Sequence, residues 1–148
     1  MAKSLLIFLF SSFLLIFAKA KIVNPCHVAY VMMHEMGMTK AIAGRWVCLA
    51  KFASGFNTQA LHGTYSDGSD DFGIFQINDK YCKKGAKITC GVNCTDLVSD
   101  DIVPSAKCAT EIYKREGFSH WPAWKNNCRD KSPTWYIQKC ELQSNSKT

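Results

Sequence analysis

Two adjacent carboxylates, Asp70 and Asp71, stand between an Asp67-Gly68 turn signal and the short apolar run of Phe72, Ile74 and Ile77. The run has strand character, and the turn before it makes a hairpin. Carboxylates at such a position can act as acid, base or charge stabiliser. Successive strand residues point to opposite faces, so Asp70 and Asp71 should not share a partner. A second polar pair, His34-Glu35, lies on an otherwise apolar helix, where one exposed polar edge is the ordinary arrangement.

The other chemistry-bearing residues are eight cysteines: Cys26, Cys48, Cys82, Cys90, Cys94, Cys108, Cys128 and Cys140. No Cys-x-x-Cys pair is present, which argues against zinc. An even count in a secreted chain of this size implies four disulfides, each worth about 2–4 kcal/mol, though spacing alone leaves about 105 pairings. Secretion itself is read from residues 1–20, where Lys3 precedes an apolar run that closes on Ala18-Lys19-Ala20, a small-x-small cleavage signal. The run is short for a spanning helix, so a signal peptide followed by one domain over residues 21–148, without a membrane anchor, is expected. Losing Lys3 and Lys19 lowers the formal net charge from +6 to +4, a mild bias toward anionic surfaces. No basic run with interleaved aromatics suggests a nucleic-acid groove.

Three helices must position these groups. Asn24-Pro25 opens the first and Gly37 closes it, with Val28, Ala29, Met32, Met33 and Met36 apolar almost all round. Between about Thr39 and Ser54, Trp46, Leu49, Ala50 and Ala53 recur at helical spacing as one buried stripe, and Gly55 lets the chain turn out. The third follows Asp100-Asp101 as caps, tolerates Pro104 in its first turn, turns Ile102, Ala106, Ala109 and Tyr113 inward, and ends at Gly117. Residues 79–101 hold too few apolar side chains to pack without their bridges. Asn93-Cys94-Thr95 within them is formally a glycosylation acceptor, with a disulfide cysteine at its centre. Residues 141–148 are polar and expected to fray.

The layout of a cysteine-bearing helix, an Asp-Gly hairpin and the Phe-Gly-Ile-Phe-Gln-Ile-Asn run of residues 72–78 resembles the C-type lysozymes and alpha-lactalbumins. The segment Phe118-Ser-His-Trp121-Pro-Ala-Trp124 is most similar to that of arthropod members. The resemblance implies an α+β fold, a helical lobe and a small antiparallel hairpin lobe flanking a cleft. It also selects one pairing: Cys26–Cys140, Cys48–Cys128, Cys82–Cys94 and Cys90–Cys108.

Active lysozymes are the type case of glycosidic cleavage by two carboxylates, one protonating the leaving oxygen and one stabilising the oxocarbenium ion. By the resemblance the hairpin carboxylate is Asp71, whereas the helix position of the glutamate is Ala53. Ala53 cannot donate a proton, a contribution typically worth about 10²–10⁴-fold. Glu111 and Glu116, by the family's layout, lie at the cleft rim, out of reach of a scissile bond. The resemblance places Gln76, Asn78 and Trp121 along the sugar groove and makes Tyr81 the aromatic left to stack on a sugar, in a 78–82 segment one residue shorter than in chicken-type lysozymes. Trp124 is expected in the core. At the positions where lactalbumins bind calcium stand Asp96, Ser99, Asp101, Pro104 and Ser105, too few carboxylates for a site, so neither metal nor cofactor is expected.

The expectation is therefore a secreted, extracellular, monomeric and non-catalytic lysozyme-like protein. It binds peptidoglycan or another N-acetylhexosamine polymer and serves an innate immune or bacteriostatic role. Two alternatives stand beside it: a weak muramidase with a relocated acid, and a modulator or adhesion protein like lactalbumin or the sperm lysozyme-like proteins.

Overall fold

The computed structural model describes residues 21–63, 65–85 and 90–142. The expected signal segment, and residues 143–148 of the tail, lie outside the described residues. Helix α1 spans Pro25–His34, its first turn closed by the Asn24 side chain, which accepts from the Cys26 amide at 2.8 Å. It buries Val28, Ala29, Val31 and Met32, while Met33 and Met36 are only partly covered, so it rests on the core by one face. Helix α2 spans Lys40–Ser54, capped by the Thr39 hydroxyl and ended by Gly55 at φ 61°. Its face of Trp46, Val47, Leu49 and Ala50 is fully buried, whereas Ala53 is half-buried and lies at the edge of the stripe.

Helix α2 is the axis of the core. The Trp46 ring makes edge-on or tilted contacts with Phe75, Tyr113, Phe118 and Trp121, at centroid distances of 4.9–5.7 Å. Those partners come from the sheet lobe, from α3 (Val103–Glu116) and from the segment leading into α4 (Pro122–Asn127). Trp124 is buried and stacks on Phe118. At Gly44 a Cβ would overlap the Pro133 carbonyl, so only glycine lets the C-terminal segment close on α2.

The N-cap of α3 is Ile102, which has no side-chain cap, so neither expected aspartate takes that position; Asp101, one residue earlier, accepts from the Val103 amide at 2.9 Å. Asp100 does not cap: it pairs with Lys21 at 2.7 Å and accepts from Gln59, tying the start of the described chain to the sheet lobe.

The sheet has three short antiparallel strands in the order β1 (Leu61–His62), β2 (Asp71–Phe72) and β3 (Ile77–Asn78). The register sets His62 opposite Asp71, and Asp71 opposite Asn78. The apolar run expected as one strand in fact reverses on itself. Gly73 (φ 71°) and Gln76 (φ 49°) turn the chain, and the Gln76 amide donates to the Gly73 carbonyl at 3.0 Å. A Cβ on Gly73 would overlap the Leu97 carbonyl, so the turn is pressed against the bridge-rich loop. Ile74 and Phe75 are fully buried at its tip, which is why a turn carries a strand's hydrophobicity.

The four disulfides pair as the resemblance implies: Cys26–Cys140, Cys48–Cys128, Cys82–Cys94 and Cys90–Cys108. The first two span 114 and 80 residues and fasten α1 and α2 to the C-terminal part of the chain; the last two hold the segment between β3 and α3.

Candidate functional site

A recess of about 170 Å³ opens between the helices and the sheet. One wall is apolar: Phe52 and Ala53 from α2, and Trp121, Pro122 and Ala123 at the start of α4. The facing wall is polar: His62 on β1, Tyr65 in the β1–β2 connection, Asp71 on β2 and Gln76 at the end of the β2–β3 turn.

Asp71 is held by two neutral donors. The Tyr65 hydroxyl donates to Oδ2 at 2.9 Å, and the Asn78 Nδ2, across the strand pair, donates to Oδ1 at 2.9 Å. The bond to Asp71 is the main cause that raises the Tyr65 pKa, with burial and the charges of Asp71 and Asp67 adding to it. Asn78 is thus a positioning residue for Asp71. Its own Oδ1 accepts from the Lys80 amide at 3.2 Å, and the side chain does not line the recess.

Gln76 lines the recess but is also a brace. Its Nε2 donates to the carbonyls of Gly73 at 2.9 Å and Ala60 at 3.3 Å, which fixes the amide so that Oε1 faces His62 Nδ1 at 2.8 Å. A carbonyl oxygen only accepts, so His62 carries a proton on Nδ1.

Trp121 lines the recess while only 3% exposed. Its Nε1 donates to the Phe75 carbonyl at 2.9 Å, a buried bond that locks the helical lobe to the β2–β3 turn. The expected sugar-stacking role of Tyr81 is corrected by its burial. The ring is 1% exposed, lies in the 3-10 turn Asp79–Tyr81, and donates its hydroxyl to Glu116 Oε1 at 2.6 Å. The turn rolls the ring inward onto Glu116, away from the lining of the recess. Burial is the chief cause that lifts the Tyr81 hydroxyl far above the ordinary tyrosine value, with the Glu116 bond adding to it.

The other acids are occupied elsewhere. Glu116 accepts from Tyr81 and sits 2.8 Å from His120 Nδ1; the Tyr81 bond, chiefly, together with the His120 interaction, holds its carboxyl below the usual range against the effect of burial. Glu111 pairs with Lys114 at 2.7 Å. The Asp70 amide and carbonyl both bond to Asp79, and Asp70 is not among the lining residues. Asp79, nearly fully buried, also forms an ion pair with Lys83.

The residues at the calcium positions of the resemblance serve local turns. Asp96 accepts from the Asn93 amide, Asp101 from the Val103 amide and Ser99 from the Asp101 amide, and Ser105 donates to the Leu97 carbonyl. Among the described residues no cluster of three or more His, Cys, Asp or Glu side chains could hold a metal ion.

Sequence reasoning missed Phe52, His62 and Tyr65. A signal for His62 was available in principle, since a strand pairing through the Asp67-Gly68 turn must set some residue before the turn opposite Asp71. The register that names it depends on the length of the connection, which no motif states.

The model of the C-type lysozyme/alpha-lactalbumin family matches residues 21–140. A lysozyme of Bombyx mori is 44% identical over 108 residues, covering 69% of this chain and 78% of that protein. Lysozyme c-1 of Anopheles gambiae is 42% identical over 116 residues, covering 77% and 81%. In solved structures the fold is shared with a lysozyme from Litopenaeus vannamei, with a TM-score of 0.70 and 31% identity, over 84% of this chain and 100% of that one.

Proposed function

The chain belongs to the C-type lysozyme/alpha-lactalbumin family, and from that membership we propose that it is a secreted, monomeric, non-catalytic member that binds an amino-sugar polymer of the bacterial cell wall. A peptidoglycan-related role is what the family supports; the loss of hydrolysis is this chain's own feature. One observation carries it. The described residues lining the groove include a single carboxylate, Asp71, and the helix wall facing it offers the methyl of Ala53.

Cleavage of a glycosidic bond requires proton delivery to the leaving oxygen from the side away from the stabilising carboxylate. Phe52, Ala53, Trp121, Pro122 and Ala123 hold no titratable group. Asp71 alone can stabilise positive charge on a sugar ring, yet without an acid the ring never develops it. What remains is recognition, in a groove with an apolar floor for sugar C–H faces and a polar wall for hydroxyls. The relocated-acid alternative finds no support in Glu111 or Glu116, which are bonded to Lys114 and to Tyr81 and His120. Secretion agrees with the N-terminal segment and with lysozyme relatives, and no helix of the described residues is long and apolar enough to cross a membrane.

The test is a peptidoglycan pull-down beside a cell-wall clearing assay with the purified protein. Retention on peptidoglycan without clearing is expected. Clearing at a rate near that of an active family member would refute the non-catalytic reading, and absence from the pellet would refute the binding one.

A further inference from the structure

Three of the four tryptophans, Trp46, Trp121 and Trp124, are at most 8% exposed, whereas Trp135 is 66% exposed. A braced element presents it. The 3-10 turn Trp135–Ile137 is anchored by the fully buried Ile137, and the Trp135 amide and carbonyl bond to the Ser132 carbonyl and the Gln138 side chain. The bridges at Cys128 and Cys140 hold the segment on both sides. Here lies a second recess, of about 380 Å³, lined by Asp130, Lys131, Ser132, Trp135 and Tyr136. Its size falls within the roughly 300–1,000 Å³ of small-ligand sites, which the groove recess of about 170 Å³ does not reach. One lysine joins the two. Phe52 lines the groove and Tyr136 the second recess, and the Lys51 ammonium lies 5.5 Å from the first ring centroid and 5.2 Å from the second.

We infer that the saccharide site does not end at Phe52 but runs across Lys51 and Tyr136 to the Trp135 recess, where a further unit of the same hexosamine polymer stacks on the indole. The inference rests on the saccharide reading above and lengthens its site. The lining sets an aromatic face beside polar groups of both signs. Among the described residues the Asp130 carboxyl and the Lys131 ammonium have no ion-pair partner and the Trp135 indole N–H no acceptor, so all three are open to a ligand. A pyranose ring has the matching surface, C–H bonds on its faces and hydroxyls around its edge. An anionic lipid surface would instead be repelled by the Asp130 carboxylate. A polymer that is held and not cut gains from such a second contact, because the tethered unit binds intramolecularly.

The experiment compares chitotriose with chitohexaose, by calorimetry and by acrylamide quenching of tryptophan fluorescence, on the native protein, Trp135→Ala and Trp135→Phe. Because the other three indoles are buried, quenching reports chiefly on Trp135, and because Trp135 is exposed its replacement leaves the fold intact. The native protein should bind the hexamer at least about tenfold more tightly than the trimer, the scale of covering much of one aromatic side chain. The hexamer should shield Trp135 from acrylamide, and the trimer should not. Trp135→Ala should bring the difference down to the few-fold gain that a longer chain draws from its extra binding registers, with trimer affinity unchanged. Trp135→Phe, which keeps a ring, should retain most of it. A hexamer that leaves Trp135 open to acrylamide, or binds Trp135→Ala as tightly as the native protein, overturns the inference while trimer binding keeps the saccharide reading standing. Binding of neither oligomer overturns both. Shielding of Trp135 by the trimer overturns the continuation, since the recess would then be a separate site.

Discussion

The two walls of the groove are built by different means. The apolar wall is backed by the core: Trp121 is 3% exposed, ringed by Trp46 and His120 and bonded to the Phe75 carbonyl, and α2 is pinned to α4's end by Cys48–Cys128. The polar wall stands on two-residue strands and is held by its own side chains, Tyr65 and Asn78 on Asp71 and Gln76 on the turn. A change in the first wall therefore reads out chiefly as stability, and a change in the second as ligand affinity. Ala53 is the exception, because it is half-buried, sits at the rim of the core-backed wall and faces the recess from the side opposite Asp71, where the proposed reading puts the missing acid.

The largest expected effect erases the contrast between the walls. Ala53→Glu places a carboxyl beside Phe52 and Trp121, where partial desolvation disfavours the ionised form and raises the pKa toward that of a working general acid. Asp71, braced by two donors, supplies the second carboxylate. Cell-wall hydrolysis should rise by about 10²–10⁴-fold over the native protein, nearer the lower figure because Tyr81 is turned into the core and offers no stacking face. Adding Asp71→Asn should remove the gain. A folded, sugar-binding Ala53→Glu protein that leaves cell walls intact would show that the groove has been repurposed beyond one residue.

Next in size is Trp121→Ala, which tests whether the apolar wall belongs to the core. Removing a buried tryptophan costs about 3–5 kcal/mol, and the Phe75 carbonyl loses its donor as well. A fall in stability of that order, read by urea unfolding, is expected. Unchanged stability with a lost sugar response would instead make Trp121 a surface contact.

Somewhat smaller is the loss of the bridge that fixes α2, by replacing Cys48 and Cys128 together with alanine. About 2–4 kcal/mol should be lost. The same replacement at Cys82 and Cys94, which closes a shorter loop, should cost less. Equal losses would mean that the bridges act through native contacts more than through the unfolded chain.

The helices, the cap at Asn24 and the buried face of α2 were legible from local rules, since each depends on residues within one or two turns. The disulfide pairing needed the family. What the sequence hid was direction. Phe72, Ile74 and Ile77 read as a strand because burial at a turn tip and burial in a strand leave the same composition. Tyr81 read as a ligand platform because an aromatic ring carries no mark of which way its 3-10 turn rolls it. His62 and Tyr65 were invisible because their roles arise from a register set across a turn of unstated length.

The smallest effect concerns the polar group under the apolar wall. His120 packs edge-on against both Tyr81 and Trp121, at 5.5 and 4.9 Å, and shares Glu116 with the Tyr81 hydroxyl. The Glu116 carboxyl has its pKa lowered in the folded protein, chiefly by that hydroxyl. A lowered carboxylate pKa adds stability that is fully present above the unfolded value, about 4.3, and is lost as pH falls through the lower folded value. Tyr81→Phe removes the donor and brings Glu116 back toward its ordinary range. The variant should be less stable by about 0.5–1.5 kcal/mol at neutral pH, toward the low end because the Glu116 side chain is 37% exposed and solvent screens the bond. On acidification the native protein should lose more stability than the variant, so their urea midpoints should converge. A gap that stays constant into acid would assign the loss to packing around Tyr81 and remove Glu116 from the support of the wall.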